Sequence, residues 1–185
     1  MAERIAHSCR KQGIHRLIHF SAAAASPDSP SLDFQTKYEA EAIVKKAFPD
    51  VTIMRPCPVF GMNDNFASKI RGQLTFFWNK FVLVYDDCTA KKQPIRENDV
   101  AKAVLNALKL EHTKGKTYEL GGPHVLTMLE VHEIMFNIMK MRPKIAYLNP
   151  KPMEVIGKYI YNWPYFSLEL LRKRTKGVRQ ARSTR

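Results

Sequence analysis

Short compact apolar runs alternate along the chain with apolar stripes at helical spacing. The stripes and their stop signals predict helices at residues 2–12, 32–48, 65–78, 98 onward, 127–140 and 152–160. The compact β-rich runs predict strands at residues 16–21, 51–55, 81–85, 116–120 and 144–148. Regular alternation of the two is typical of an α/β fold with a largely parallel sheet.

Local signals mark where two of these helices begin. Asn98 is a good N-cap residue, and Glu97 and Asp99 beside it place negative charge at a helix N-terminus, where it is stabilising. Thr127 and Glu130 have the spacing of a capping box. We therefore interpret these carboxylates as helix-terminal groups and not as an acid/base pair.

The spacing of the glycines indicates that one element of a complete nucleotide-binding sheet, its Gly-rich turn, is missing from this sequence. A dinucleotide pyrophosphate needs a Gly-rich first turn, so that the backbone can approach it at a helix N-terminus. The eight glycines of this chain never fall at G-x-G-x-x-G spacing. The sequence therefore predicts the C-terminal part of a Rossmann-like parallel sheet, with a small appended α/β region and without the half that grips phosphate.

The net charge of +13 is concentrated at one end of the chain. Residues 140–185 hold twelve Lys or Arg against two Glu, whereas residues 1–139 hold eighteen basic and fifteen acidic residues. We therefore predict a nearly neutral Rossmann-like body with a small lobe over residues 1–150 and a basic, aromatic arm over 151–185.

Residues 172–185 carry seven cations and no anion, so this segment is expected to be solvated or bound to something negative. Aromatic and leucine side chains precede it, a composition suited to a lipid interface, and anionic lipid headgroups are the favoured partner. RNA is the rival partner, but nothing in the body is typical of a nucleic-acid module. Acidic neighbouring subunits are the third alternative.

Cysteine and histidine spacing gives no metal site and no disulfide framework. Cys9, Cys57 and Cys88 are odd in number and far apart, which favours a reducing compartment. The histidines lack ligand spacing. No apolar run approaches the roughly 18 residues of a membrane span, and residues 1–26, although rich in Arg, Ala and Ser, are interpreted as folded structure and not as a transit peptide.

Several short segments together resemble a known family. They include G-I-H-R-L-I-H-F-S over 13–21, S-P-D-S-P-S over 26–31, F-P-D over 48–50, R-P at 55–56, V-F-G over 59–61 and Q-P at 93–94. In this order and spacing they resemble the alpha subcomplex subunit 9 family of mitochondrial respiratory complex I, which belongs to the atypical short-chain dehydrogenase/reductases. The resemblance is dense from residue 1 to about residue 135 and corresponds to the part of the family that follows its nucleotide-binding half.

The resemblance implies a cofactor site but no catalytic centre. In active relatives a Tyr four residues before a Lys donates the proton; here Lys37 matches the Lys, but Asp33 stands where the Tyr would be. An aspartate is ionised at neutral pH and has no proton to give, and Tyr38 points about 100° away from Lys37 around the helix. The expected cofactor-binding residues are Ser21, Lys37, Pro56 and Val59. The alternatives are that Lys37 is an ordinary surface lysine and that the prolines after Arg55 only end the strand.

The function implied by the resemblance is structural. We expect a non-catalytic accessory subunit on the matrix side of the inner mitochondrial membrane, bound to other complex I subunits. NADPH would be a structural ligand in the family, and in this chain it would be shared with a separate chain that supplies the N-terminal half, or be absent. The alternatives are a reductase or epimerase half completed by such a chain, and a basic lipid- or RNA-binding adaptor.

Overall fold

The computed structural model describes residues 1–62, 64–76, 81–85, 88–142 and 144–148. The basic arm over 151–185 and the helix predicted at 152–160 lie outside these residues. The chain divides into two compact units. Unit 1 comprises Met1–Asn63 and Gln93–Val125, and unit 2 comprises Asp64–Lys92 and Leu126–Arg185.

Unit 1 is built on a parallel sheet with flanking helices. In chain order its elements are α1 (Ala2–Lys11), β1 (Ile18–Phe20), α2 (Leu32–Ala47), β2 (Thr52–Pro56), β3 (Val59–Phe60), β6 (Ile95–Arg96), α4 (Glu97–Lys109), a short 3₁₀ turn (Glu111–Thr113) and β7 (Thr117–Leu120). The strands β1, β2 and β7 pair in that order, all parallel, while β3 and β6 form a separate parallel pair. The predicted α/β class with a parallel sheet is confirmed.

The core of unit 1 lies between α2, β2 and α1. It is formed by the fully or almost fully buried side chains of Ala6, Val44, Ala47, Phe48, Val51 and Ile53. On α2, Val44 and Ala47 are three residues apart, so both face the sheet. Strand β2 is central and its first three residues are buried, as expected for an inner strand of a parallel sheet.

The amino end of this sheet is held by a group of hydrogen bonds around Thr113. The Thr113 hydroxyl oxygen lies 2.8 and 2.7 Å from the carbonyl oxygens of Ala107 and Leu110, which share its one proton, and the Arg16 guanidinium donates to the same hydroxyl oxygen at 2.7 Å. Arg16 also donates to the Ala107 carbonyl, and the Thr52 hydroxyl donates to the Thr113 carbonyl at 2.9 Å. The carbonyls at the end of α4 are thus satisfied by a cation and a hydroxyl.

Unit 2 contains two strand pairs and two helices in its described part. Its elements are α3 (Phe66–Phe76), β4 (Phe81–Tyr85), β5 (Lys91–Lys92), β8 (Leu126–Thr127), α5 (Met128–Ile138) and β9 (Lys144–Leu148). The pair β4 and β9 is parallel, and the pair β5 and β8 is antiparallel. Val82, Cys88 and Phe136 form its buried cluster.

The predicted capping box at the start of α5 is confirmed. The Thr127 hydroxyl accepts from the Glu130 amide at 3.2 Å, and the Glu130 carboxylate accepts from the Thr127 amide at 2.6 Å. Helix α5 ends at Ile138, slightly before the predicted end near Lys140, which lies in the left-handed region with φ of 54°. Among the helices of the described residues, none has both the length and the apolar character needed to cross a bilayer.

The predicted cap of α4 is wrong. This helix begins at Glu97, so Arg96 occupies the N-cap position and Asn98 is already inside the helix, without a side-chain cap. The reason is that Arg96 belongs to β6, so the helix starts directly after a strand. The Glu97 carboxylate accepts instead from the Met62 amide at 3.2 Å and thereby holds the loop after β3, while the exposed Asp99 pairs with Lys102 at 3.7 Å.

Candidate functional site

Ser21 lies directly after β1, at the carboxyl end of the parallel sheet. Its amide donates to the Met54 carbonyl at 2.8 Å, which continues the pairing of β1 with β2 by one residue. Its side chain is buried, with 6% of the residue exposed, and its hydroxyl has no hydrogen bond of ordinary geometry among the described residues. The hydroxyl nevertheless lies close enough to the Glu41 carboxylate to lower the pKa of that group.

A buried ion pair lies at the same end of the sheet. The Arg55 Nε and Nη2 atoms donate to the two carboxylate oxygens of Glu41, both at 2.8 Å. This paired geometry is the strongest arrangement of a guanidinium and a carboxylate. Arg55 Nη1 also lies 3.7 Å from the exposed carboxylate of Glu119 on β7. Helix α2 and two strands are therefore connected by charge at this point.

The electrostatics of the site follow from this pair. Burial by itself would raise the pKa of Glu41, but hydrogen bonds from Arg55 and then from the nearby Ser21 hydroxyl, with the positive charges of Arg55 and Lys45, lower that pKa below its ordinary value. The hydrogen bond to Glu41 raises the pKa of Arg55. The pair is therefore fully ionised at neutral pH.

Lys37 lies on α2, one helical turn before Glu41, and is half-buried. Burial lowers the pKa of His19 on β1; the Glu41 carboxylate opposes this effect and the positive charge of Lys37 adds to it. Lys37, His19 and Glu41 are therefore close enough to influence one another electrostatically. Asp33, four residues before Lys37, is exposed in the first turn of α2.

Pro56 and Val59 have different surroundings. Pro56 is the last residue of β2, opposite Leu120 of β7, and its carbonyl accepts from the Ala23 amide at 3.1 Å, just after Ser21. Val59 is the first residue of β3 and pairs with Ile95 in the separate strand pair. The structure thus brings Ser21 and Pro56 to the adjacent ends of β1 and β2. Lys37 lies on α2, the helix that connects these two strands in the sequence.

The sequence reasoning missed the role of Glu41 and Arg55. A signal was present, because Glu41 is three residues before Val44 on the stripe of α2 that faces the core, and a carboxylate there requires a cation. Arg55 near the end of a buried strand was the natural candidate. Without knowledge of how α2 packs on β2, the sequence could not show that these two side chains meet.

The residues fit only one end of a dinucleotide. A buried hydroxyl and a half-buried Lys at a strand's carboxyl end suit a nicotinamide ribose. The Gly121 and Gly122 pair is closely packed, because a Cβ at Gly121 would lie 2.6 Å from the Gln93 side chain and one at Gly122 would collide with the Pro94 carbonyl. In the described part of the chain no cluster of His, Cys, Asp or Glu could hold a metal ion.

Curated proteins from three kingdoms resemble this chain. It is 37% identical over 156 residues to the Arabidopsis thaliana protein NADH dehydrogenase (ubiquinone) 1 alpha subcomplex subunit 9, mitochondrial, which covers 80% of this chain and 37% of that protein. It is 31% identical over 172 residues to the Neurospora crassa NADH-ubiquinone oxidoreductase 40 kDa subunit, covering 91% and 44%. The Mus musculus subunit 9 is 31% identical over 159 residues, covering 86% and 40%. No family model matches the chain.

Solved structures show the same fold at lower identity. MoeE5 in complex with UDP-glucose and NAD matches with a TM-score of 0.67 and 20% identity, covering 80% of this chain and 56% of that one. A UDP-glucuronic acid 4-epimerase from Bacillus cereus, in complex with UDP-glucuronic acid and NAD, matches with a TM-score of 0.66 and 16% identity, covering 80% and 53%. These enzymes have the Rossmann fold of short-chain dehydrogenase/reductases, which agrees with the predicted fold.

The chain spans between 37% and 44% of the length of these curated relatives. The chain is similar to the alpha subcomplex subunit 9 family over 80% to 91% of its own length, and solved enzymes with the Rossmann fold share its fold.

Proposed function

We propose that this chain is a non-catalytic accessory subunit of mitochondrial respiratory complex I, located on the matrix side of the inner membrane. The observation that carries the proposal is identity of 31% to 37% with proteins named as subunits of this complex in a plant, a fungus and a mammal, over at least 80% of the chain. Its role there is to support the assembly and stability of the complex.

The geometry supports a role without catalysis. Proton transfer to a carbonyl substrate requires a positioned group that carries a proton at neutral pH. Asp33, four residues before Lys37, is an exposed aspartate, and the buried Glu41 carboxylate is held ionised by Arg55. Neither carboxylate can serve as the proton donor, so the reductase chemistry of distant relatives lacks its acid here.

A dinucleotide, if the assembled subunit holds one, has a structural role in this proposal. Ser21, Lys37, Pro56 and Val59 would contact the nicotinamide and ribose of NADPH, and a partner polypeptide would supply the phosphate-binding turn. A ligand that binds only the folded state stabilises it in proportion to RT ln(1 + [L]/Kd). NADPH would thus stabilise the fold without being consumed.

The place in the complex can be tested with the chain tagged at its chromosomal locus. Mitochondria are solubilised in mild detergent and separated on native gels, and the tagged protein is followed by mass spectrometry. We expect it to migrate with complex I, and its deletion to reduce the amount of assembled complex. If the tagged chain is found only apart from complex I subunits, the proposal is wrong.

The absence of catalysis can be tested on the purified assembly with NADPH and a panel of carbonyl substrates. We expect no oxidation of NADPH above background that depends on this chain, in the native protein and in Lys37→Ala alike. Turnover that disappears in Lys37→Ala but persists in the exposed control Lys102→Ala would favour the alternative function, a reductase or epimerase half.

Residues 172–185 are proposed to contact anionic lipid headgroups. Seven cations without an anion gain about 1 kcal/mol each near an anionic surface. Vesicles containing phosphatidylserine should bind the full chain but not a variant that ends at residue 171, and about 0.5 M salt should release it. Equal binding to neutral vesicles, or preferential binding to RNA at the same salt, would contradict this.

A further inference from the structure

We propose that the amino end of the parallel sheet in unit 1 presents a basic surface that binds an acidic segment of a partner protein. This amino-end surface consists of the three segments that lead into the strands, residues 10–17, 45–51 and 109–116. It is distinct from residues 172–185, and its existence does not depend on the proposed place in complex I. Charges that are far apart in the sequence meet there, because three helices end at the same side of the sheet.

The three segments come together because each connects the end of a helix to the start of a strand. α1 leads into β1, α2 into β2 and α4 into β7, and these strands are parallel. Arg16 of the first segment donates to the Leu110 carbonyl of the third at 3.4 Å. A Cβ at Gly115 of the third segment would lie 3.4 Å from the Pro49 carbonyl oxygen of the second. The segments therefore form one continuous surface.

Cations outnumber anions four to one on this surface. Its eight cations are Arg10, Lys11, Arg16, Lys45, Lys46, Lys109, Lys114 and Lys116, and its two anions are Asp50 and Glu111. The other residues of 1–139 comprise ten basic and thirteen acidic ones, so the positive excess of this part of the chain lies entirely at the amino-end surface. A body that is nearly neutral as a whole therefore has one strongly basic side.

Most of these cations point to solvent. Within the part of the chain that the structure describes, six of them are exposed and form no ion pair, namely Arg10, Lys11, Lys45, Lys46, Lys109 and Lys116. One of the two anions, Glu111, is already paired with Lys114. Like charges held close together repel one another, so this surface is stabilised by a partner that brings negative charge.

The helix ends account for only part of this charge. A cation in the last turn of a helix is stabilised by the helix dipole, and this applies to the basic residues that end α1, α2 and α4. Lys114 and Lys116, however, lie beyond α4, in the connection to β7. Arg16 donates inward, to carbonyls at the end of α4, and leaves the exposed cations for a partner. Positive charge thus continues past the helix ends, as expected of a binding surface.

The uncharged side chains of this surface favour a protein over a nucleic acid or a lipid. Two aliphatic side chains are exposed there, Ile14 by 42% and Leu110 by 45%. Single-stranded nucleic acids stack their bases on aromatic side chains, and lipid interfaces are rich in Trp and Tyr. The three segments contain neither Trp nor Tyr, and their one Phe, Phe48, is buried. Carboxylates beside aliphatic side chains on a protein match this surface in both charge and polarity.

Zero-length cross-linking tests for a protein carboxylate at this surface. Gently permeabilised cells that express the tagged full chain are treated with a water-soluble carbodiimide, which joins a lysine amine to a carboxylate in contact with it through an amide bond. The chain is purified under denaturing conditions, and linked peptides are identified by mass spectrometry. We expect links to Asp or Glu of a second polypeptide from the four exposed lysines Lys45, Lys46, Lys109 and Lys116.

Two links within the chain are the controls. Lys114 should be linked to Glu111, which shows that the reagent has reached the surface, and the exposed Lys102 should be linked only to Asp99, 3.7 Å away. The proposal is overturned if the link from Lys114 forms while none of the four lysines is joined to another polypeptide. A linked partner from outside complex I would support this surface and contradict the proposed place in complex I, so the two proposals are tested separately.

Matched double variants test whether charge is responsible. Lys46→Glu with Lys116→Glu reverses two cations of the amino-end surface, and Lys91→Glu with Lys102→Glu reverses two exposed cations elsewhere. At low salt the first pair should reduce the links from the two lysines that remain on the surface by about tenfold or more, whereas the second pair should leave them unchanged.

Circular dichroism and thermal unfolding of both double variants check that the fold is intact. If the first pair unfolds the chain, the milder pair Lys46→Gln with Lys116→Gln takes its place, with a smaller reduction of the same links expected. The proposal is overturned if both pairs behave alike, if nuclease treatment removes the links, or if the lysines react only with carboxylates of lipids.

Discussion

The two ends of the three-stranded sheet in unit 1 are both held by an arginine, but the arginines have different partners. At the amino end, Arg16 donates to carbonyls at the end of α4 and to the Thr113 hydroxyl. At the carboxyl end, Arg55 donates to the buried Glu41 carboxylate. Carbonyls and hydroxyls do not change charge with pH, whereas a carboxylate does. The amino end is therefore a purely structural connection, and the carboxyl end combines structure with titratable chemistry.

This difference agrees with where ligands bind in such folds. In open α/β sheets, ligands lie beyond the carboxyl ends of the strands. The buried Ser21 hydroxyl, the half-buried Lys37 and His19, whose pKa is lowered by burial, are all found at that end. Glu41 and Arg55 also connect α2 to the sheet, so this ion pair contributes to the fold as well as to the electrostatics of the site.

The largest effect is expected when the ion pair at the carboxyl end is broken. Arg55→Met keeps an apolar stem but leaves the Glu41 carboxylate, which is 5% exposed, without its cation. Removing one partner of a buried pair lowers the free energy of unfolding by about 3 to 5 kcal/mol. Urea denaturation measures this free energy.

The exposed pair of Lys102 and Asp99 is the control. Lys102→Met should lower the free energy of unfolding by at most about 1 kcal/mol. If the two substitutions lowered the free energy of unfolding equally, the buried and the exposed ion pair would not differ in their contribution to stability.

A second change at the carboxyl end tests its backbone packing. Gly122 follows β7, and a Cβ there would collide with the Pro94 carbonyl, a backbone atom that cannot easily move. Gly122→Ala should therefore lower the free energy of unfolding by about 1 to 3 kcal/mol. Gly72→Ala on α3, where nothing lies within 4 Å of the added Cβ, should raise it by about 0.5 to 1 kcal/mol. Thermal or urea unfolding measures both changes. Changes of opposite sign in the free energy of unfolding support this packing, and a Gly122→Ala variant as stable as the native chain contradicts it.

The amino end should respond through hydrogen bonds alone. Thr113→Val keeps the shape but removes the hydroxyl that serves Arg16, Ala107 and Leu110, so buried groups lose their partner. We expect a loss of about 1 to 3 kcal/mol in the free energy of unfolding, independent of pH between about 4 and 8. Thr36→Val, on the exposed side of α2, is the control and should cost no more than about 0.5 kcal/mol. A strong dependence on pH would mean that the two ends are not distinct.

The smallest and most specific effect concerns acid. The pKa of Glu41 is lowered in the folded state, so its contribution to stability is complete above the ordinary glutamate value of 4.5. That contribution is lost as the pH falls below 4.5 and through the lowered folded-state pKa. Glu41→Gln should therefore lose less stability than the native chain between about pH 6 and pH 3. The free energy of unfolding of both proteins is measured by urea titration at several pH values. If the two plots of this free energy against pH are parallel, Glu41 is not the source of the pH dependence.

Much of the fold could be predicted from local patterns. The capping box at Thr127 and Glu130, the helix that became α2 and the strands β1, β2, β7 and β9 follow from spacing and composition that need no distant contact. Of β1, β2 and β7, only β2 is buried, over its first three residues. The start of α4 could not be predicted from local signals. Arg96 pairs with Phe60 of β3, thirty-six residues earlier, and this pairing fixes where the helix begins, whatever the N-cap preference of Asn98. The separate strand pairs β3 with β6 and β5 with β8 are each two residues long, too short to leave a pattern.

The candidate site was predicted less completely. Ser21 and Lys37 were predicted as cofactor contacts through the resemblance to a family, and that role stays a prediction. The structure places Ser21 directly after β1 and Lys37 on α2, one turn before Glu41. Glu41 and Arg55 were missed as a pair, because they are fourteen residues apart and meet only through the packing of α2 on the sheet. Ion pairs between elements require knowledge of register and helix rotation, and the sequence pattern specifies neither.

The interleaving of the two units determines the order in which this chain can fold during synthesis. The chain passes from one unit to the other after residues 63, 92 and 125. β1 and β2 emerge early but gain their third strand only when β7 is made, and β4 and β5 gain their partners β9 and β8 only after β7. A ribosome that stalled near residue 125 would thus release a chain with a finished first unit and two strands lacking partners, a substrate for chaperones and proteases.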